Sequence, residues 1–225
     1  MGFLITVEAP DASGKATQTQ MLLDRLTKEG YKTYKFSFPN YGSDACKPVE
    51  MYLDGVLGGK PEDTNAYSAS VLFAVDRFFS YRTEWKKLLD EENTVIVLDR
   101  YTTSNAVHQI VKLDENEWDS FLSWLYDFEF YKMALPVPDI TIALDVPPEV
   151  SKVLMDKRAK EDVNHKTDIH EADTEYLKKC YEASKYASEK WNWQRIGCTR
   201  NGEMLSREEI HEKIYAAVIK KMENR

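Results

Sequence analysis

Short apolar runs alternate along this chain with longer segments of helical periodicity, and this alternation limits the possible folds more than any other feature. Strand-like runs lie at residues 3–7, 31–38, 94–98, 140–146 and 193–198. Helical patterns occupy residues 17–29, 67–89, 115–131, 148–158, 171–191 and 206–223. Such alternation predicts an α/β fold with a parallel sheet covered by helices on both faces. Right-handed crossovers place the carboxyl ends of the strands at one edge, where such sheets bind ligands.

The length and charge of the chain exclude several classes of protein. Its 225 residues fit one domain spanning 1–225, and a net charge of −8 argues against a general nucleic-acid-binding surface. No segment approaches the roughly 20 consecutive apolar residues of a membrane helix, and the apolar run at 3–7 indicates a buried strand, not a signal peptide. Three widely spaced cysteines, Cys46, Cys180 and Cys198, indicate thiols in a reducing compartment, and so a cytoplasmic protein.

A candidate phosphate-binding loop (P-loop) follows the first strand. Residues 9–17 read APDASGKAT and lie between a strand and a helix. Backbone N–H groups at such a corner converge on phosphate oxygens, and Lys15 can reach the β and γ phosphates. The usual pattern is G-x-x-x-x-G-K-[ST], and the chain departs from it at Ala9 and at Ala16, where a magnesium-binding hydroxyl is normal. A plain strand-turn-helix corner is the alternative, but the position after a buried strand favours the P-loop.

Asp99 and Arg100 end the third predicted strand, at the same edge of the sheet. A carboxylate there can orient a metal-bound water, and a guanidinium can bridge two phosphates through planar two-point contacts. A strand-end salt bridge is the other interpretation of this pair. The nearby P-loop favours function, because ionisable groups at the carboxyl ends of strands cluster at active sites.

Two helical segments supply candidates for binding a nucleotide base. Phe73 and Arg77 are one turn apart, so the ring can stack on a base while the guanidinium donates to a carbonyl oxygen. A core phenylalanine beside a surface arginine is the commoner arrangement for such a pair taken alone. A further helix is predicted to begin near Ser104, and it places Asn105 and Gln109 one turn apart on one face.

Taken in order along the chain, these segments resemble the thymidylate kinase family. ITVEAPDASGKATQ resembles the family's FEGxDGxGKxTQ, LFAVDR resembles LxFAxxR, and DRYTTSNAVHQ resembles DRYxxSxxAYQ. The Phe38-Pro39 pair, PDITIALDVPPEV and TDIHEADTEYLKKCYEASKYA match further family segments. The resemblance implies a three-layer P-loop kinase fold with five parallel strands, a short lid at about residues 157–168, and a homodimer. It also implies phosphoryl transfer from ATP to thymidine 5′-monophosphate (dTMP) with Mg²⁺.

The same resemblance assigns roles to individual residues. The ATP phosphates are expected at Ala12, Ser13, Gly14, Lys15, Ala16 and Thr17. The catalytic groups are expected to be Lys15, Asp99, Arg100 and the lid residue Arg158, with Lys157 and Lys160 as further lid cations. Asp99 is expected to organise Mg²⁺ through water. The acceptor is expected at Asp11, Phe38, Pro39, Phe73, Arg77, Arg100, Ser104, Asn105, His108 and Gln109.

The chain also departs from the family pattern at several positions. Ala16 lacks the metal hydroxyl, although Thr17 keeps one at the next position, as in adenylate kinases. The P-loop holds no arginine, so catalytic cations are expected from the lid. His108 stands where the family has a tyrosine that crowds a 2′-hydroxyl, and Thr103 stands where aspartate is frequent. Asn40 stands close after the Phe-Pro pair, where an arginine that clamps the acceptor phosphate is expected.

Two other functions use the same residues. A deoxynucleoside kinase shares the P-loop and the strand-end Asp-Arg, but it needs a general base for a 5′-hydroxyl, for which Glu8 is the candidate. A nucleotide-binding regulator with a weakened active site would explain the substituted P-loop. The sequence alone does not decide between dTMP and other acceptors.

Overall fold

The computed structural model describes residues 1–10, 13–161 and 174–225, with side chains described for all of these except 158–161 and 174. Within these ranges five parallel strands form one sheet in the order β2-β3-β1-β4-β5. The strands are β1 (Phe3–Glu8), β2 (Lys32–Ser37), β3 (Thr94–Asp99), β4 (Ile140–Asp145) and β5 (Gln194–Gly197). The predicted α/β fold with a five-stranded parallel sheet is confirmed.

Helices cover both faces of this sheet. They are α1 (Lys15–Lys28), α2 (Lys47–Leu53), α3 (Ala66–Ser80), α4 (Lys86–Leu89), α5 (Thr102–His108), α6 (Trp118–Tyr126), α7 (Pro148–Glu161), α8 (Thr174–Lys190) and α9 (Arg207–Glu223). Short 3-10 turns lie at Asp44–Cys46, Pro61–Asp63, Ile110–Lys112 and Glu115–Glu117. A small antiparallel pair, β6 (Thr199–Arg200) and β7 (Glu203–Met204), precedes α9.

The core explains why the central strands are so apolar. Every residue of β1 and β3 is buried, because helices cover both faces of these two strands. On one face, alternate residues of β1 pack with Leu22 and Leu26 of α1 and with Ile214 of α9. On the other face, Leu4 and Ile96 pack against Trp85 and its aromatic neighbours. Each fully buried side chain of this size contributes about 1.5–3 kcal/mol.

The structure differs from the sequence-based elements in four places. Two predicted long helices contain π-helical turns, at Tyr81–Trp85 and Asp127–Lys132. Helix α2 was not predicted; its sequence carries Pro48 in the first turn, which a helix tolerates there. Helix α5 begins at Thr102 rather than near Ser104, and the Thr102 hydroxyl donates to the buried carboxylate of Glu129.

The three cysteines lie inside the protein as thiols. Cys46, Cys180 and Cys198 are all buried, and no disulfide joins them. Burial raises the pKa of the Cys46 thiol to about 12 and that of Cys198 to about 11. Among the described residues, no helix combines the length and the apolar character needed to cross a membrane.

The register of the sheet sets the relative position of the site residues. Val7 of β1 is paired with Asp99 of β3, and the amide of Arg100 donates to the Val7 carbonyl at 3.1 Å. The amide of Phe38, directly after β2, donates to the Asp99 carbonyl at 3.0 Å. The residues that follow β1, β2 and β3 therefore lie side by side at one edge.

Candidate active site

The predicted P-loop forms the entrance to α1. Gly14 stands at the N-cap with φ of 87°, a left-handed conformation that glycine adopts without steric cost. Before it, the Ser13 hydroxyl donates to the Pro10 carbonyl at 2.6 Å. The first turn of α1 carries no acidic residue, so the positive end of the helix dipole faces the loop without competition. Ala16 and Thr17 are exposed on this turn, whereas Asp11 and Ala12 lie outside the described residues.

Lys15 bridges the P-loop to β3 through an ion pair with Asp99 Oδ1. A second lysine, Lys35 of β2, has its Nζ 3.7 Å from Asp99 Oδ2. Burial lowers the pKa of Lys15, and the charge of Arg100 lowers it further, while Asp99 opposes the shift. Three cations, Lys15, Lys35 and Arg100, thus face two carboxylates, Asp99 and Glu8, and an arriving polyphosphate would balance the excess positive charge.

Glu8 holds Arg100 at the same edge. The Arg100 guanidinium donates from Nη1 to Glu8 Oε1 at 3.0 Å, and the Glu8 side chain is only 3% exposed. Three further donors fill the carboxylate: the amide of Ala9 on Oε1, and the hydroxyls of Thr103 and Ser104 on Oε2. Arg100 itself adopts φ of 67°, which is uncommon for a residue with a side chain. The sequence predicted Arg100 but not the contact of Thr103 with Glu8.

Arg77 and Asn105, two predicted acceptor contacts, are enclosed in a buried network. Arg77 donates from Nε and Nη2 to the two carboxylate oxygens of Glu129, at 2.8 and 2.5 Å, and its Nη1 lies 3.4 Å from the Tyr101 carbonyl. Asn105 donates from Nδ2 to Glu129 at 3.2 Å and to the Ser70 carbonyl at 3.1 Å. Their contact with an acceptor base stays a prediction. Sequence reasoning missed Glu129, although a carboxylate between two phenylalanines was a signal for a buried partner.

Three other predicted acceptor residues are Phe38 after β2, Phe73 in the middle of α3 and Gln109 at the end of α5. Phe73 is partly buried and makes an edge contact with Tyr52, their ring centroids 5.9 Å apart. Gln109 is 1% exposed, and its Oε1 has no hydrogen-bond partner among the described residues. Phe38 is buried and joined by a cis peptide bond to the partly exposed Pro39. The unpaired amide oxygen of Gln109 is costly to bury unless a ligand or a water donates a hydrogen bond to it.

A cleft of about 790 Å³ opens between the carboxyl ends of β1 and β4 and the helices α7 and α8. Glu8 and His108 lie on its wall near the Arg100 contact, and Met155 and Tyr181 line it on the helix side. His108 Nε2 is 3.3 Å from Nη1 of Arg100, so Arg100 adjoins this cleft. Of the predicted lid cations, Lys157 is exposed, and the side chains of Arg158 and Lys160 lie outside the described ones.

The sheet order, the glycine-lysine loop at the start of α1 and the Asp99-Arg100 step at the same edge define a P-loop kinase of the α/β class. Comparison with known proteins agrees with this class. The family model described as thymidylate kinase matches residues 7–216. The chain belongs to the thymidylate kinase family.

Individual relatives are similar over much of their length. A thymidylate kinase of Mycobacterium tuberculosis is 30% identical over 174 residues, which cover 76% of this chain and 79% of that protein. One from Halothermothrix orenii is 28% identical over an alignment that covers 96% of both chains. One from Schizosaccharomyces pombe is 27% identical across 67% of this chain and 64% of its own.

Proposed function

We propose that this protein transfers the γ-phosphoryl group of ATP to dTMP and releases dTDP and ADP. The observation that carries the proposal is the placement of Arg100, whose guanidinium is fixed 3.0 Å from Glu8 beside the Lys15–Asp99 pair. Two cations at the mouth of α1 supply charge for a donor and an acceptor phosphate at once. The names of the curated relatives, thymidylate kinases, support the same reaction.

Positioning and charge would account for catalysis, with no covalent intermediate. Lys15 would exchange Asp99 for the β and γ phosphates, so that its largely buried ammonium would keep an anionic partner. Arg100 would hold the acceptor phosphate, since a guanidinium makes two-point contacts with phosphate oxygens. The backbone amides from Ser13 to Thr17 would bind the donor phosphates at the start of α1. Holding both nucleotides together would add to this charge stabilisation, because a bound donor and acceptor react as one species.

The residues present fit a magnesium ion that is held mainly by phosphates and water. Asp99 offers one carboxylate, 8% exposed, at the end of β3. Among the described residues no cluster of three or more histidine, cysteine, aspartate or glutamate side chains could hold an ion by itself. Mg²⁺ commonly keeps several waters and takes only one or two carboxylates. When bound, Mg²⁺ would neutralise charge on the transferring phosphates, and Asp99 would orient it through water.

The environment of Glu8 favours a phosphate acceptor over a nucleoside acceptor. A nucleoside kinase needs a free base beside the 5′-hydroxyl, and Glu8 was the candidate for that role. Its two oxygens already accept four hydrogen bonds, from Ala9, Arg100, Thr103 and Ser104. A carboxylate so engaged has no position left for an incoming hydroxyl.

The proposal includes a single kinase domain over residues 1–225, a lid near 157–168 and assembly as a homodimer. Arg158 is the proposed catalytic lid cation, with its side chain outside the described ones. Support for self-association comes from apolar side chains that remain exposed on α2 and α3: Met51 at 42%, Tyr67 at 38%, Val71 at 37% and Phe79 at 52%.

A coupled assay of ADP release across a panel of acceptors tests the function. With ATP and Mg²⁺ we expect turnover of dTMP, and little or none with thymidine. Thymidine preferred over dTMP would identify a deoxynucleoside kinase instead. Nucleotide binding without turnover of any pyrimidine monophosphate at millimolar substrate would identify a regulator and refute the proposal.

A further inference from the structure

We propose that His108 is a positioning residue that fixes the guanidinium of Arg100 for phosphoryl transfer. The inference rests on the function proposed above, because it assigns Arg100 to the acceptor phosphate. His108 does not itself need to touch either nucleotide in this role. It acts by restricting where the arginine can point.

Among the described residues, three side chains lie within hydrogen-bonding distance of Nη1 of Arg100. Glu8 Oε1 lies at 3.0 Å, His108 Nε2 at 3.3 Å and Ser104 Oγ at 3.5 Å. Glu8 comes from β1, whereas the other two come from successive turns of α5. The carboxylate supplies the charge that keeps the guanidinium at this edge. The imidazole approaches from a second element, so the two contacts together define an orientation that either alone would leave open.

The chemistry of the two side chains fixes which nitrogen carries the imidazole proton. A guanidinium has only N–H donors and cannot accept a hydrogen bond. His108 Nε2 must therefore accept from Arg100, and the neutral ring carries its proton on Nδ1. That Nδ1 lies 3.6 Å from Cys180 Sγ, an acceptor for the proton. The ring thus bridges the arginine and helix α8.

Helix α8 also holds the backbone of the same histidine. The Tyr176 hydroxyl donates to the His108 carbonyl, and the two rings stack with centroids 6.3 Å apart and planes 22° from parallel. Tyr176 is 4% exposed and Cys180 5%, so both contacts are inside the protein. Both contacts on His108 come from α8, so the orientation of the arginine depends on this helix as well as on β1.

The matched variants H108Q and H108N test the inference, because both are polar amides of similar stability cost. The glutamine oxygen can reach the position of Nε2 and accept from Arg100, whereas asparagine is one methylene shorter and leaves that position empty. We expect H108Q to keep kcat with dTMP within about threefold of the wild type. We expect H108N to lower kcat about tenfold, the size of one lost hydrogen bond to a charged donor.

A double-mutant cycle with R100A separates positioning from general damage. If His108 acts through Arg100, H108N has no further effect on kcat once the arginine is gone. Equal rates for H108Q and H108N, or a full additional loss from H108N in the R100A background, would overturn the inference. Wild-type protein inactive on dTMP would instead refute the kinase function itself, and unfolding temperatures of all variants exclude misfolding as the cause of a lost rate.

Discussion

Arg77 and Glu129 form an ion pair that is withdrawn from solvent, with side chains 1% and 0% exposed. The two residues are 52 positions apart and meet through parallel contacts, Nε to Oε2 and Nη2 to Oε1. Thr102 and Asn105 of α5 donate further hydrogen bonds to the carboxylate of Glu129. The pair therefore joins α3, α5 and the π-helical turn at Asp127–Lys132 behind the catalytic edge.

We expect E129A to lower the free energy of unfolding by about 3–5 kcal/mol, because it leaves the Arg77 charge buried without a partner. Urea denaturation followed by circular dichroism measures the change. The R77M/E129M double variant should recover most of the loss, since neither charge then remains. K32A, which removes a solvent-exposed pair with Glu91, is the control and should have little effect. A loss below about 1 kcal/mol in E129A would contradict the structural role of the pair.

Loss of either phosphate-binding cation should nearly abolish turnover. We expect K15A and R100A each to lower kcat by about 10²–10³, because each removes charge stabilisation from the transition state. K28A, at the exposed C-terminal end of the same helix α1, and R82A, on the surface, are the matched controls and should retain wild-type rates. Steady-state ADP release with ATP, Mg²⁺ and dTMP is the measurement. A near-normal rate in K15A or R100A would remove that residue from the proposed mechanism.

Gly14 is required for its backbone conformation. A Cβ at this position would meet no atom of the described residues within 4 Å, but φ of 87° is costly for any other residue. We expect G14A to lower the free energy of unfolding by about 1–2 kcal/mol and to raise the KM for ATP, because the strain distorts the P-loop. G59A is the control, since Gly59 has open space and an ordinary φ. Equal stability of the two variants would show that the loop is not strained.

Lys112 provides a pH-dependent contribution to stability. Its Nζ donates to the Tyr52 hydroxyl and the Thr64 carbonyl, both at 2.9 Å, and burial lowers its pKa from 10.5 to about 8. Between these two values the unfolded chain binds more protons than the folded one, so stability rises with pH across that window. We expect the difference in unfolding free energy between wild type and K112M to shift by about 2 kcal/mol in favour of the wild type from pH 8 to pH 10. A flat difference would mean that the folded-state pKa is not lowered.

The parts of the fold set by local pattern were predictable from the sequence. The fully buried strands β1 and β3 are largely apolar runs in the sequence. Because the carboxyl ends of parallel strands meet at one edge of the sheet, the sequence also predicted that Lys15, Asp99 and Arg100 lie together. Helical periodicity also predicted α9, and in the structure its N-cap is the Ser206–Glu209 capping box.

The contacts set by register and irregular turns were not predictable in this way. Glu8 meets Arg100 because Val7 pairs with Asp99, and pairing between strands 92 residues apart leaves no local trace. Glu129 points inward because a π-helical turn replaces the expected α-helix there. Such turns break the 3.6-residue periodicity from which the buried face of a helix is predicted. The same limit explains why the sequence did not reveal the carboxylate partner of Arg77.

Because Arg100 has a left-handed backbone, the stability of the fold and the proposed catalytic role favour different residues at position 100. In an E8Q background, which removes the buried charge that Arg100 neutralises, selection for a folded protein alone should enrich glycine and asparagine among random substitutions at position 100, because these residues adopt φ of 67° with the least strain. Selection for growth dependent on nucleotide phosphorylation should retain arginine against that thermodynamic preference. Deep sequencing of one library under both selections would therefore show whether the residue that best stabilises the fold at position 100 differs from the residue that supports activity.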